Sequence, residues 1–70
     1  MNDACWMIEA VVGGSDRRRV IAMFWSQIDA HLYWEAMVEA RRFRRAWKVF
    51  GQTSGRRSVL DAFDRQNQLV

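Results

Sequence analysis

The stretch ACWMIEAVVGGSDRRRVIAMFW, residues 4 to 25, decides how this chain begins to fold. Two runs rich in β-branched, aromatic and other apolar residues flank the glycine-containing segment 13–15, which is the pattern of two strands joined by a loop. Side chains alternate between the two faces of a sheet, so the length of the loop decides which residues share a face. A loop of three or five residues gives one apolar face: Trp6, Ile8, Ala10, Val12, Val20, Ala22 and Phe24.

An even loop has a different consequence, because it would place Arg17 and Arg19 on that apolar face. Guanidinium groups are costly to bury without partners, so the sequence predicts the odd loop. With three loop residues, Glu9 lies opposite Arg19 on the other face and forms a favourable cross-strand pair.

A helix follows the two strands. Ser26 and Asp29 in SQID resemble a capping box, and the next residues through IDAHLYWEAMVEARR contain no Gly or Pro. At 100° per residue, one side of this helix of about four turns is apolar: Ala30, Tyr33, Trp34, Met37 and Val38. Ile28, Leu32 and Ala36 fall outside that side, so the apolar arc is wider than one sheet needs to cover.

The last third of the chain completes the expected fold. Residues 45 to 50 alternate and predict a third strand with Trp47 and Val49 facing inward. Ser58 and Asp61 give a second capping-box pattern, which favours a short final helix, with a fourth strand over residues 58–68 as the alternative. The expected fold is therefore α+β, a small antiparallel sheet with helices on one face in the order ββαβα, forming one domain over residues 1–70.

Size and composition exclude several classes of protein. A chain of 70 residues has a small core, and its one cysteine cannot form an internal disulfide. Cys5 and the lone His31 are too few ligands for a zinc site, and no nucleophile with a neighbouring base is recognisable. We therefore expect no metal, no cofactor and no enzymatic activity. No apolar run reaches the roughly 20 residues of a membrane span, so a cytoplasmic protein is expected.

The second face of the expected sheet is also largely apolar, which is unusual for a sheet with helices on one side. It carries Cys5, Met7, Val11, Ile21, Met23 and Trp25, interrupted by Glu9, Arg17 and Arg19. Contiguous exposed apolar area often marks an interface. Two interpretations remain open: a homodimer through Met7, Ile21, Met23 or Trp25, or through the helix flank; or a final helix that covers this face with Val59, Leu60 and Phe63.

Basic residues are the other prominent feature. Lys and Arg number 11 against 8 Asp and Glu, and the segment RRFRRAWKVF, residues 41 to 50, mixes five cations with three aromatic rings. Cations at the end of a helix stabilise its dipole, so part of this cluster has an ordinary structural explanation. The remainder predicts a basic, aromatic edge for a partner or nucleic acid: Arg41, Arg42, Arg44, Arg45, Lys48 and Phe50, with Arg17, Arg19, Arg56 and Arg57 from other segments.

In layout, the segments WMIEAVV, RRVIAMFW and IDAHLYWEAMVEARRF, as strand, strand and helix, resemble the small phage-encoded anti-CRISPR proteins. The resemblance implies a single compact, non-catalytic domain that binds a CRISPR effector subunit, or its RNA or DNA path, in the cytoplasm of a bacterial host. Many members of that group are acidic mimics of nucleic acid, and the net charge of +3 departs from that mode. No functional residue carries over.

These observations predict a non-enzymatic binding protein, an inhibitor of the anti-CRISPR type that docks on a protein or ribonucleoprotein partner through the basic, aromatic edge and the apolar sheet face. The alternative is a small DNA- or RNA-binding protein or regulator. A structural subunit of a phage or of a larger complex is the third hypothesis.

Overall fold

The computed structural model describes residues 4–14 and 16–65, which form four strands and one helix. In chain order these are β1 (Cys5–Val11), β2 (Arg18–Phe24), α1 (Gln27–Ala40), β3 (Arg45–Gly51) and β4 (Arg57–Asp64). The strands form one antiparallel sheet in the order β2-β1-β3-β4. Both β2 and β3 run antiparallel to β1, so α1 connects two strands of the same direction by crossing one face of the sheet over β1.

The expected order ββαβα is wrong, because the last described element is a strand and the order is ββαββ. β4 pairs with β3 along its whole length, and the turn between them is closed by a hydrogen bond from the Gly55 N–H to the Gln52 carbonyl at 3.4 Å. A helix of about two turns is marginal by itself, whereas a hairpin strand pairs the free backbone groups of β3. Asp61, expected to cap a helix, instead accepts a hydrogen bond from the Ala62 N–H at 2.9 Å.

The prediction of the long helix is confirmed. Ser26 is its N-cap and accepts a hydrogen bond from the Asp29 N–H at 3.4 Å. Trp34 and Met37 are buried against the sheet, and Arg41 ends the helix in the left-handed conformation, its N–H donating to the Val38 carbonyl. Within the described residues, no helix is long and apolar enough to cross a membrane.

The loop between β1 and β2 differs from the expectation. Val11 pairs with Arg18, so the strands are joined by an even number of residues, and Arg19 lies opposite Ala10 instead of Glu9. A β-bulge at Ile21 then shifts the register, so that Ile8 and Trp6 oppose Ala22 and Phe24 and share a face with them, as expected. An extra residue in one strand reverses the face on which all the earlier residues of that strand lie. Val20 is therefore opposite Glu9, and Ile21 packs against the core beneath the helix, the reverse of the prediction for both.

The faces of β3 are also inverted relative to the prediction. Lys48 and Phe50 lie opposite Ile8 and Trp6 on the face that α1 covers, and Phe50 contacts Trp6 with ring centroids 4.5 Å apart. Trp47 packs with the cluster on the other face instead. Either alternation of β3 would bury an aromatic ring and an aliphatic side chain, so the sequence pattern could not decide between them.

The sheet thus has buried residues on both faces. On the face beneath α1, called the helix side, the core consists of Ile8, Ala10, Trp34, Met37 and Ala46. On the opposite face, called the open side, a smaller cluster consists of Cys5, Met7 and Val49, with Trp47 packed against it. Of the two interpretations left open for this face, the one in which a final helix covers it is wrong, because residues 57 to 64 extend the sheet as β4.

Candidate functional site

The antiparallel topology collects most of the arginines at one end of the sheet. The C-terminal end of β1, the start of β2, the end of α1, the start of β3 and the end of β4 all lie there. We call this region the basic end: Arg17, Arg18, Arg19, Arg41, Arg42, Arg44, Arg45 and Arg65, with Asp16 and Asp64 as the carboxylates of the same segments. Its strong positive charge arises from three separate segments of the sequence and exists only in the folded chain.

A cleft opens at the basic end between two connections. Val11, Gly13, Gly14 and Asp16 of the first hairpin line one wall of this space of about 400 Å³, and Arg42, Phe43 and Arg44 line the other. Gly13 adopts a φ of 66°, where a side chain would be strained, so the backbone of the hairpin faces the space without a bulky residue.

The segment after the helix directs two arginines away from the core. Arg41 turns the chain through a φ of 54°, and Phe43 then packs against the helix-side core. Arg42 and Arg44, on either side of Phe43, are exposed. Among the described residues, neither forms an ion pair with a carboxylate, and the Arg42 guanidinium lies 5.7 Å from the Phe43 ring centroid.

Arg65 holds this segment in place. Its backbone N–H donates to the Arg44 carbonyl at 2.8 Å, and its guanidinium donates to the carbonyls of Phe43, at 3.1 Å, and Arg41. Arg65 was not among the sequence-predicted site residues. It follows a segment expected to be helical, and only the pairing of β4 with β3 brings it to the end of α1.

Other arginines have structural partners. Glu9 is only 2% exposed, and its carboxylate accepts a hydrogen bond from Arg18 Nε at 3.0 Å and pairs with Arg57. The Arg18 guanidinium also lies 4.0 Å from the centroid of Trp47. Arg45 pairs with Asp64 at 3.6 Å. A buried carboxylate is stable only next to a positive charge or hydrogen-bond donors. Arg18 and Arg57 therefore have a structural role at Glu9.

The predicted basic, aromatic edge is therefore not one surface. Arg17, Arg19, Arg41, Arg42, Arg44 and Arg45 lie at the basic end, whereas Arg56 and Arg57 lie at the opposite end of the sheet. Lys48 and Phe50 lie on the helix side, where Lys48 Nζ is 3.2 Å from His31 Nδ1 and 5.9 Å from the Trp34 ring. Alternation along β3 separates these residues. Arg18 was missed because the odd loop placed only its neighbours on the open side.

The predicted apolar interface is divided in the same way. Met7 is buried, and Ile21 is half-buried and packs against the helix-side core, so neither lies exposed on the open side. Met23 and Trp25 are exposed, Trp25 to 75%. Of the four residues predicted for this interface, these two are exposed.

The described residues contain no group of three His, Cys, Asp or Glu side chains that could hold a metal ion. Cys5 is buried in β1, and His31 Nε2 lies 3.5 Å from Glu35 Oε1, both side chains being exposed on α1. Comparisons of the chain with protein-family models, with curated proteins and with solved structures find no match. The functional interpretation therefore depends on the chemistry of the basic end.

Proposed function

We propose that this protein is a non-enzymatic binding module that docks its basic end on an anionic surface of a protein or ribonucleoprotein partner. The observation that carries the proposal is that the side chains of Arg42 and Arg44 are exposed and their charges are not balanced by a described carboxylate. Both are exposed at the cleft, and no described carboxylate neutralises either of them, whereas Arg18, Arg45 and Arg57 pair with carboxylates. Arg65 already orders the backbone around Arg42 and Arg44. Binding of an anion by these two arginines should therefore cost little backbone conformational entropy.

The resemblance to anti-CRISPR proteins supplies the proposed class of partner, a CRISPR effector complex in the bacterial cytoplasm. Such a complex is a ribonucleoprotein and presents an acidic or nucleic-acid surface to a basic ligand. Electrostatic complementarity of this kind raises the association rate and fixes orientation. The bound protein would then inhibit the complex by sterically blocking the path of its target nucleic acid, with no chemical step.

The test is a charge reversal at the cleft. The double variant Arg42→Glu/Arg44→Glu changes the local charge by four units and removes no buried contact. Incubated with purified CRISPR effector complexes, the wild-type protein should reduce target-DNA binding, and the double variant should lose most of this inhibition. Arg56→Glu/Arg57→Glu would disturb Glu9, so the matched control is Arg56→Glu, an exposed arginine at the opposite end of the sheet. An equal loss in the control would contradict the assignment to the basic end.

A DNA- or RNA-binding function is the second candidate, and the convergence of eight arginines at the basic end favours it. Phosphate contacts release counterions, so the logarithm of the affinity should fall with that of the salt concentration by about 0.9 per neutralised phosphate on duplex DNA. Titration of free oligonucleotides at several salt concentrations separates the two functions. Tight, steeply salt-dependent binding without any partner protein would replace the first proposal by the second.

A further inference from the structure

We propose that the cleft at the basic end binds one nucleotide unit of the partner's RNA, with its phosphate against Arg42 and Arg44 and its ribose hydroxyls toward Asp16. The inference rests on the proposed docking of the basic end and names the anion that the cleft receives. The two walls of the cleft differ in chemistry. One carries the two arginines, and the other carries Asp16 beside the backbone of Gly13 and Gly14. A ligand that suits both walls is an anion at one end and a hydrogen-bond donor at the other.

The arginine wall suits a phosphate group. Arg42 and Arg44 are exposed, and among the described residues neither forms an ion pair with a carboxylate. A guanidinium group is a planar fork of donors that matches two phosphate oxygens at once. The backbone between the two arginines is held by Arg65, whose guanidinium donates to the Phe43 carbonyl at 3.1 Å. Two arginines separated by one residue of a held backbone can therefore bind the same phosphate.

The hairpin wall leaves room for a sugar and a base. A methyl group on Gly13 or Gly14 would meet no described atom within 4 Å outside the adjacent residues. Val11 and Phe43 are half-buried and line the same cleft, so a ring has an apolar surface to lie on. The space of about 400 Å³ is within the range of roughly 300–1,000 Å³ that small-molecule sites occupy. A lone phosphate would leave most of it empty.

Asp16 distinguishes between the classes of anion. Its carboxylate repels another carboxylate placed nearby, so it disfavours an acidic protein surface in the cleft. It can accept hydrogen bonds from hydroxyl groups, and the 2′-hydroxyl is the donor that RNA has and DNA lacks. Asp16 is exposed, and in the part of the chain that the structure describes it forms no ion pair that would occupy its oxygens. The cleft therefore favours a ribonucleotide.

The first test measures selectivity in the absence of a partner protein. Fluorescence anisotropy gives the dissociation constants of a labelled single-stranded oligoribonucleotide and of the oligodeoxyribonucleotide of the same sequence. One nucleotide site gives free RNA a weak affinity, so the decisive quantity is the ratio of the two constants. The wild type should prefer RNA by about tenfold, since the two ligands differ by a hydrogen bond to a charged acceptor.

The carboxylate is tested by two variants that each remove one negative charge. Asp16→Ala should bind the DNA at least as tightly as the wild type, because a repulsive charge is gone, but its preference for RNA should disappear. Glu39→Ala, at an exposed carboxylate near the end of α1, is the matched control and should keep the preference. A purely electrostatic role of Asp16 would raise both affinities by the same factor in Asp16→Ala and leave the ratio unchanged.

The second test asks whether the RNA enters the cleft. Gly14→Leu adds a side chain in open space at the hairpin wall without changing the charge, and it should lose most of the RNA binding. Val12→Leu, at an exposed neighbour in the same hairpin, is the control and should bind RNA as the wild type does. Binding that is unaffected by Gly14→Leu would mean that the RNA lies outside the cleft.

Four results would overturn the inference: no RNA binding by the wild type, equal affinities for RNA and DNA, a preference that survives Asp16→Ala, or binding that survives Gly14→Leu. Displacement of the RNA by polyglutamate would also overturn it and would assign the cleft to an acidic protein surface. These results leave the docking proposal standing, because the inhibition assay with Arg42→Glu/Arg44→Glu measures docking separately. If the wild type inhibited no effector complex and still showed the RNA preference, the docking proposal would fail and the nucleotide site would remain.

Discussion

The two sides of the sheet bury their central residues by different means. On the helix side, Ile8 lies beneath Trp34 of α1 in a wholly apolar cluster. On the open side, Met7 is equally inaccessible, but its neighbour along the same face is the carboxylate of Glu9, held by Arg18 and Arg57. One side is therefore stabilised by apolar area alone, and the other by apolar area together with a compensated charge.

This difference matters for stability, because the two contributions respond differently to substitution. Apolar burial contributes roughly 25 cal/mol per Å², and each removed group leaves a cavity. A buried ion pair contributes little net stability, yet removing one member leaves the remaining group without compensation. At Glu9 the buried member is the acid, while Arg18 and Arg57 are about two-fifths exposed, at 41% and 38%. Losing an arginine should therefore harm the open side more than its exposure suggests.

The largest effect is expected on the helix side. Trp34→Ala removes the largest side chain of α1 that contacts the sheet, and we expect a loss of about 3–5 kcal/mol, close to the whole stability of a domain of this size. Urea unfolding followed by circular dichroism measures it. Leu32→Ala, on the exposed side of the same helix, is the control and should cost a small fraction of this value under conditions that keep the protein monomeric. Equal losses in the two variants would show that the two sides of α1 are not distinguished as described.

A smaller loss is expected on the open side. Glu9→Gln keeps the shape of the side chain but removes the charge that holds Arg18 and Arg57, and we expect a cost of about 1–3 kcal/mol. Glu39→Gln, an exposed carboxylate near the end of α1, serves as the control and should change stability by less than about 0.5 kcal/mol. If Glu9→Gln were as stable as the wild type, the ion pairs would be incidental and the open side would depend on apolar packing alone, as the helix side does.

The sequence predicted the first four elements of the fold because each has a local signal. Ser26 at the N-cap, the period of Trp34 and Met37, and the glycines after β1 all act within a few residues. The bulge at Ile21 has no such signal, since it results from fitting β2 to β1 and α1 together. The final strand was only the alternative for a related reason. A weak capping pattern favoured a helix there, and the backbone pairing that stabilises β4 exists only once β3 has formed.

The sequence predicted which residues could belong to the candidate site, but it did not predict which of them share one surface. The sequence identified Arg42 and Arg44 among the basic residues, but it grouped them with Lys48, which alternation in β3 places on the helix side. It could not identify Arg65, which reaches the same segment at a sequence separation of 21 to 24 residues. Patterns of charge along a chain show which residues can bind an anion, and tertiary contacts decide which of them act together.

The last and smallest expected effect concerns Lys48, a cation on the helix side. Lys48 lies between His31 and Trp34, and its contact with His31 is exposed. Lys48→Met keeps an unbranched side chain of similar length and removes a charge whose contact with His31 is exposed, so we expect a change within about 0.5 kcal/mol. The same variant should keep the partner binding that Arg42→Glu/Arg44→Glu loses, since its charge points away from the cleft. Thermal melts and the inhibition assay, run side by side with Glu9→Gln, measure both quantities. If Lys48→Met strongly destabilised the protein, charge would be needed for stability on both sides of the sheet. If it lost partner binding but not stability, the docking surface would extend from the basic end onto the helix side.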